Sequence, residues 1–142
     1  MSTSYSPLSQ VKDVYANFGA GNLPAVLNAL SPKVEWQIHG PKEYPFFGHY
    51  TGREGVQAFL IGLAAATEIS KFQPERFLEA GNQVIVTGSE SGTTRNIGRS
   101  YNTTWCHIFT IENDKIVSFE EFIDSAPIVA AYQVTSLNLH NL

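Results

Sequence analysis

Between Tyr101 and Asp124 the chain alternates with a period of two: Trp105, His107, Phe109 and Ile111 against Cys106, Ile108 and Thr110, then, after Asn113-Asp114, Ile116, Ser118, Glu120, Phe122 and Asp124. A period of two is the pattern of a strand. Two such runs separated by two short polar residues that tolerate positive φ read as a β-hairpin. Counting outward from Glu112 facing Lys115 places His107 opposite Glu120, Trp105 opposite Phe122 and Thr103 opposite Asp124. One face of the hairpin then carries aromatic rings with an imidazole and two carboxylates among them, which is unusual for plain core.

The rest of the chain must cover that surface. At 142 residues it reads as a single domain over 1–142, with a packed core from about residue 8 to 132 and a polar tail, 133–142. A net charge of −4 and nine Lys and Arg without a basic cluster argue against a nucleic-acid partner. One cysteine, Cys106, cannot form an internal bridge and sits in an apolar strand, so it reads as an inert thiol in a reducing compartment. With no membrane-length apolar run and no signal-peptide pattern at the start, the expected location is cytoplasmic.

Ser6-Pro7 reads as a helix start, with Leu8, Val11, Val14, Tyr15 and Phe18 on one face until Gly19 and Gly21. Asn22 caps a second short helix, stopped by Ser31-Pro32. Val34, Trp36 and Ile38 then alternate with Glu35, Gln37 and His39 in a strand that breaks at Gly40-Pro41. The stretch 42–52, rich in rings, prolines and glycines, reads as a flap. Thr51-Gly-Arg-Glu54 matches a capping box opening a third helix, which carries Val56, Phe59, Leu60 and Leu63 as far as about Ile69. Four strands follow as an antiparallel meander: Phe72 to Ala80, Gln83 to about Arg95, Arg99 to Glu112 and Lys115 to Asp124. Glu90 joins the Trp105 face if the turn near Gly98 keeps simple register. The expected class is α+β, with helices held against a curved, mostly antiparallel sheet that wraps them incompletely and leaves a cavity for a small apolar molecule.

This order of elements resembles the NTF2-like superfamily, and within it the SnoaL-like group related to polyketide cyclases and ketosteroid isomerase. The resemblance spans about residues 8 to 132. It rests on Val34-Glu-Trp, Tyr50-Thr-Gly-Arg-Glu-Gly-Val, Glu79-Ala-Gly-Asn-Gln-Val, Trp105-Cys-His-Ile-Phe-Thr-Ile and Lys115-Ile-Val-Ser-Phe with Glu-Glu-Phe-Ile-Asp124. It implies a cone-shaped fold, three helices packed in a curved sheet, and no single function, since this fold hosts cyclases, isomerases, dehydratases, hydrolases and proteins without catalysis. It also makes Tyr15 resemble the oxyanion tyrosine of the ketosteroid isomerases and Asp124 the late aspartate of the cyclases. His107 stands where the isomerases have their second oxyanion residue. No carboxylate stands near the end of the first strand, where they place their general base and this chain offers Gln37, Ile38 and His39.

The candidate catalytic residues are therefore Asp124, His107, Glu120, His39 and Tyr15. Each has a plainer reading: Tyr15 as core, Asp124 as a helix cap, His107 with Glu120 as a structural cross-strand pair, His39 as a surface residue at a strand end. Trp36, Tyr50, Phe59, Trp105, Phe109 and Phe122 are candidate ligand-binding rings that serve equally as core. The histidines at 39, 49, 107 and 140 show no paired metal-ligand spacing, and no glycine-rich phosphate loop joins a strand to a helix. Neither a metal nor a cofactor is expected. Ile108, Val117, Phe119 and Ile123, assigned by the same counting to the outer face of the meander, predict a homodimer through the sheet. The expected function is binding of a small apolar, carbonyl-containing ligand with cofactor-independent acid/base chemistry; the alternative is a non-catalytic binding or dimerisation module.

Overall fold

A computed structural model describes residues 6–133. The predicted tail lies outside the described residues, apart from Gln133. The elements run α1 (Pro7–Gly19), α2 (Leu23–Asn28), β1 (Leu30–His39), β2 (Gly48–Thr51), α3 (Gly52–Ala66), β3 (Thr67–Ala80), β4 (Gln83–Thr94), β5 (Ser100–Glu112), β6 (Lys115–Ile123) and α4 (Ala126–Tyr132). The six strands form one curved, unclosed sheet in the order β2-β1-β6-β5-β4-β3. Only β1 and β6 pair in parallel. No described helix is long and apolar enough to cross a membrane.

Local chemistry accounts for the starts of α1 and α2. Ser6 Oγ accepts from the Ser9 N–H and Asn22 Oδ1 from the Ala25 N–H, satisfying free donors at the starts of α1 and α2. Thr51 occupies the N-cap of α3 but makes no side-chain cap bond, so the expected capping box does not form. The helix is instead tied down by Arg53, whose Nε and Nη2 both donate to the Leu30 carbonyl at 2.9 and 2.7 Å. It ends at Ala66, three residues earlier than its apolar pattern suggests, because β3 already begins at Thr67.

Two further expectations change. Ser31-Pro32 does not separate helix from strand but lies inside the irregular start of β1, where the register shifts and a missing N–H is tolerated. The aromatic flap contains a strand: Gly48–Thr51 pairs with Glu35–Ile38 at the sheet edge, and Tyr44 turns inward to become buried. Glycine and proline around a four-residue strand hide its period.

The hairpin turn falls where expected, with Asn113 and Asp114 at φ 52° and 62° and Glu112 facing Lys115. The count then breaks. Ile111 pairs with Ile116 but Thr110 with Ser118, so Val117 is the extra residue of a β-bulge. Beyond it every pair is displaced by one: His107 faces Glu121, Trp105 faces Ile123 and Cys106 faces Phe122. A shift of one residue exchanges the two faces of a strand. Phe119 and Glu121 therefore enter the core, while Glu120 and Phe122 face outward, the reverse of the simple count.

The concave face is lined by Val34, Trp36 and Ile38 of β1, Val84, Val86 and Glu90 of β4, Tyr101, Trp105, His107 and Phe109 of β5, and Phe119 of β6, all buried. α1 and α3 cover it. Gly88 and Gly92 flank Glu90 because there is no room for a side chain: a Cβ on Gly88 would lie 2.5 Å from the Gln73 carbonyl and the Trp105 ring, and one on Gly92 2.7 Å from the Tyr101 hydroxyl. Gly88→Ala should cost about 1–3 kcal/mol, the range of core overpacking, in urea unfolding; a loss below about 0.5 kcal/mol, within the range of surface substitutions, would contradict this packing.

Candidate functional site

Between α1, α3 and the concave face lies a cavity of about 70 Å³. Its deeper wall is made of the buried Trp36, Tyr44, Glu90, His107, Phe109, Phe119 and Glu121, and its half-exposed rim of Phe18, Leu60, Leu63, Ile69 and Phe72. At that volume it holds only a very small molecule unless the rim side chains move.

Three polar groups are joined at the wall. His107 Nε2 lies 2.9 Å from Glu121 Oε2, and His107 Nδ1 lies 2.7 Å from the Tyr15 hydroxyl. A carboxylate only accepts, so Nε2 carries the proton given to Glu121; on a neutral ring Nδ1 then accepts from the Tyr15 O–H. If the ring is protonated, both nitrogens donate and the Tyr15 hydrogen is released toward the cavity. The imidazole is held in plane by stacking on Trp105 at 3.8 Å between centroids, and the hydrogen-bonded Tyr15 ring lies at 10° to its plane. Burial, with the Glu121 charge adding to it, pushes the Tyr15 hydroxyl well above the ordinary phenol range, so it remains an O–H donor.

A second polar group faces the same cavity. Glu90 accepts from the Tyr101 hydroxyl at 2.7 Å and is pushed up to about 7, chiefly by burial and further by the Glu121 charge, against the lowering effect of that hydrogen bond. Burial likewise raises the Tyr44 hydroxyl. No Lys or Arg lines the cavity among the described residues. The Trp36 Nε1 is a buried donor without a partner among them, as is Trp105 Nε1; leaving such a group unpaired costs about 1–3 kcal/mol.

Of the predicted catalytic residues, the structure brings Tyr15 and His107 together at the cavity and places Glu120, His39 and Asp124 on the outer side of the sheet. Glu120 is not the partner of His107: the Val117 bulge turns it outward, where it meets His39 Nε2 at 2.9 Å. His39 stacks on Phe122 at 4.2 Å on that outer face. Asp124 is exposed, lining an outer groove with His39, Cys106 and Phe122, and Ser125 rather than Asp124 takes the N-cap position of α4. Its main chain is fixed, the N–H donating to the Thr104 carbonyl and the carbonyl accepting from the Thr103 hydroxyl.

Among the predicted rings, Trp36, Phe59 and Phe109 line the cavity, Trp105 backs His107, and Tyr50 stands behind Phe59 at 4.9 Å. Phe122 is on the wrong face for it, 44% exposed. Glu121 and Tyr44 were missed. Glu121 needed the bulge to be seen, whereas Tyr44 had no periodic signal at all. Glu90 and its partner Tyr101 follow from simple register across the β4–β5 turn, where Glu90 faces Thr103.

The raised Glu90 gives a pH prediction. Below the ordinary carboxyl value of 4.5 the group is neutral in both folded and unfolded chains; between 4.5 and about 7 only the unfolded chain ionises. Stability is therefore lost as pH rises through that window, by roughly 3 kcal/mol. Glu90→Gln should remove this loss, so urea unfolding at pH 5 and pH 8 should show a smaller drop for the variant than for the parent. Equal drops would contradict the assignment.

Comparison with known proteins agrees with the architecture. The profile of the SnoaL-like domain matches residues 11–119. The crystal structure of an NTF2-like protein from Burkholderia thailandensis is 26% identical, with a TM-score of 0.85 over 92% of this chain and 99% of that one. An NTF2-like protein of unknown function from Burkholderia pseudomallei is 29% identical, with a TM-score of 0.79 over 90% and 98%. TerC, co-crystallised with polyporic acid, is 22% identical, with a TM-score of 0.78 over 89% and 98%. No curated protein matches by sequence. The chain belongs to the SnoaL-like domain family, with an NTF2-like fold.

Proposed function

We propose that this protein binds a small, largely apolar carbonyl compound in the cavity and moves a proton at the carbon next to the carbonyl without a cofactor. The observation that carries this reading is the Tyr15–His107–Glu121 chain in an otherwise aromatic wall. Glu121 orients the ring; neutral His107 takes the Tyr15 hydrogen at Nδ1 as the Tyr15 oxygen takes the α-proton, and the reverse relay returns a proton to the ligand, leaving Tyr15 a neutral hydroxyl before and after. Glu120, His39 and Asp124, on the outer face, take no part in this scheme.

Proton transfer is read directly as α-deuteration of a ketone in D2O. The wild type should accelerate exchange at the α-carbon of cyclohexanone. His107→Gln should reduce that acceleration by ~10²-fold or more, and Tyr15→Phe should reduce it as well, both still binding the ketone. A specific observation favours a second reading, a binding module without chemistry: at the end of β1 the inward residue is Ile38, while Gln37 and His39 face outward, so no first-strand carboxylate reaches the cavity. Ketone binding with no exchange in the wild type would establish that reading instead.

We further propose a homodimer through the outer face. Its support is narrower than the simple count implied, because Phe119 and Ile123 pack on the core side and only Ile108 and Val117 of the expected four remain, joined by Ile85 and the exposed Phe122. Sedimentation at micromolar concentration should give a dimer that Phe122→Lys dissociates; a wild-type monomer would contradict it.

A further inference from the structure

One residue of the cavity wall, Trp36, carries an unpaired donor that the proton chain does not use. Trp36 is 5% exposed, its ring stacks on Phe119 at 3.9 Å, it lines the cavity, and its Nε1 has no hydrogen-bond partner among the described residues. An indole N–H has no acceptor capacity, so only an acceptor can satisfy it. The walls supply none at that point, although two carboxyl groups, Glu90 and Glu121, line the same cavity and are bonded to Tyr101 and His107. The lining therefore contains uncharged donors, acidic side chains and no Lys or Arg. A carboxylate or phosphate entering here would meet two acidic groups without a compensating side-chain cation other than a protonated His107. A neutral oxygen acceptor meets no such opposition.

We infer that the Trp36 indole N–H is the donor that receives the oxygen of the ligand, and that the cavity thereby selects neutral carbonyl compounds over carboxylates and over hydrocarbons of the same shape. This rests on the cavity being the ligand site and gives Trp36 a specificity-determining role distinct from the Tyr15–His107–Glu121 chain. Stacking on Phe119 fixes the ring plane, so the donor direction is preset and its orientation costs little on binding.

Three probes separate the possibilities: cyclohexanone, methylenecyclohexane, in which the oxygen is replaced by a methylene group, and cyclohexanecarboxylate. Each is titrated into the ¹⁵N-labelled full chain while the Trp36 indole resonance is followed, assigned by its loss in Trp36→Phe. Cyclohexanone should move that resonance downfield and bind more tightly than the other two. Trp36→Phe, which keeps an aromatic ring on Phe119, should weaken cyclohexanone by ~3–10-fold, the size of one neutral hydrogen bond, and leave methylenecyclohexane unchanged.

A bound ketone that leaves the Trp36 N–H unmoved, or a Trp36→Phe variant that weakens both neutral probes equally, would overturn the inference while leaving the cavity as a binding site. Carboxylate binding tighter than ketone would overturn the selection by charge. Failure of all three probes to bind would remove the cavity reading and this inference together. Should Trp36→Phe not fold, the indole resonance is assigned instead by its through-space contact with the Phe119 ring, and the wild-type indole shift decides, with ring contact judged by the response to methylenecyclohexane.

Discussion

The organisation of the interior depends on the buried contact between His107 and Glu121. An unpaired carboxylate or imidazolium so far from solvent would be strongly destabilising, and the pair is tolerated because each side is hydrogen-bonded: Glu121 to Nε2, and Nδ1 in turn to Tyr15. That contact exists only because Val117 is bulged out of the β5–β6 ladder. Without the extra residue Glu120 would sit at the cavity wall, Phe119 would leave its stack on Trp36, and the polar chain from α1 to β6 would not close. The bulge is thus the device that sets which of two adjacent glutamates meets His107 at the cavity wall and which is paired with a surface histidine.

Much of this was legible in the residues. The two-residue turn at Asn113-Asp114, the caps of α1 and α2, the alternation of β4 and β5 and the helix faces are local properties, and local pattern is what sequence encodes most directly. The family resemblance drawn from Trp105-Cys-His-Ile-Phe-Thr-Ile and its companions agrees with the fold obtained. The bulge was not legible, because Val117 and Ser118 fit a regular strand as well as they fit a distorted one and only packing of Phe119 against Trp36 decides between them. One miscounted residue then misplaced Glu120, Phe122, Phe119 and Ile123 together. β2 escaped for a different reason: four residues between glycine and a helix start are too few to show a period. Asp124 resembles a late cyclase aspartate in sequence, yet the end of β6 leaves it outside.

Glu90 shows how far strand parity can be taken. Gly88-Ser-Glu-Ser-Gly92 places small residues on the core face on either side of an acid, an arrangement that weakens a strand unless large rings from the neighbouring strand occupy the gaps. Trp105 and Tyr101 do so, and the Tyr101 hydroxyl meets the acid. The cavity accordingly has two polar stations, one built on an imidazole and one on a carboxyl group raised by burial, separated by aromatic wall. Its deep wall is set by buried rings and its half-exposed rim by Phe18, Leu60, Leu63, Ile69 and Phe72.

The central claim is the proton chain from Tyr15 through His107 to Glu121, and the most direct measurement is the ¹⁵N chemical shift pair of His107, followed from acid to alkaline pH in the wild type and in Tyr15→Phe. The account predicts that the neutral ring carries its proton on Nε2, that Nδ1 has the shift of a hydrogen-bonded acceptor, and that this Nδ1 shift changes in Tyr15→Phe while Nε2 stays bonded to Glu121. A neutral ring protonated on Nδ1, or an Nδ1 shift indifferent to the loss of the Tyr15 hydroxyl, would contradict it.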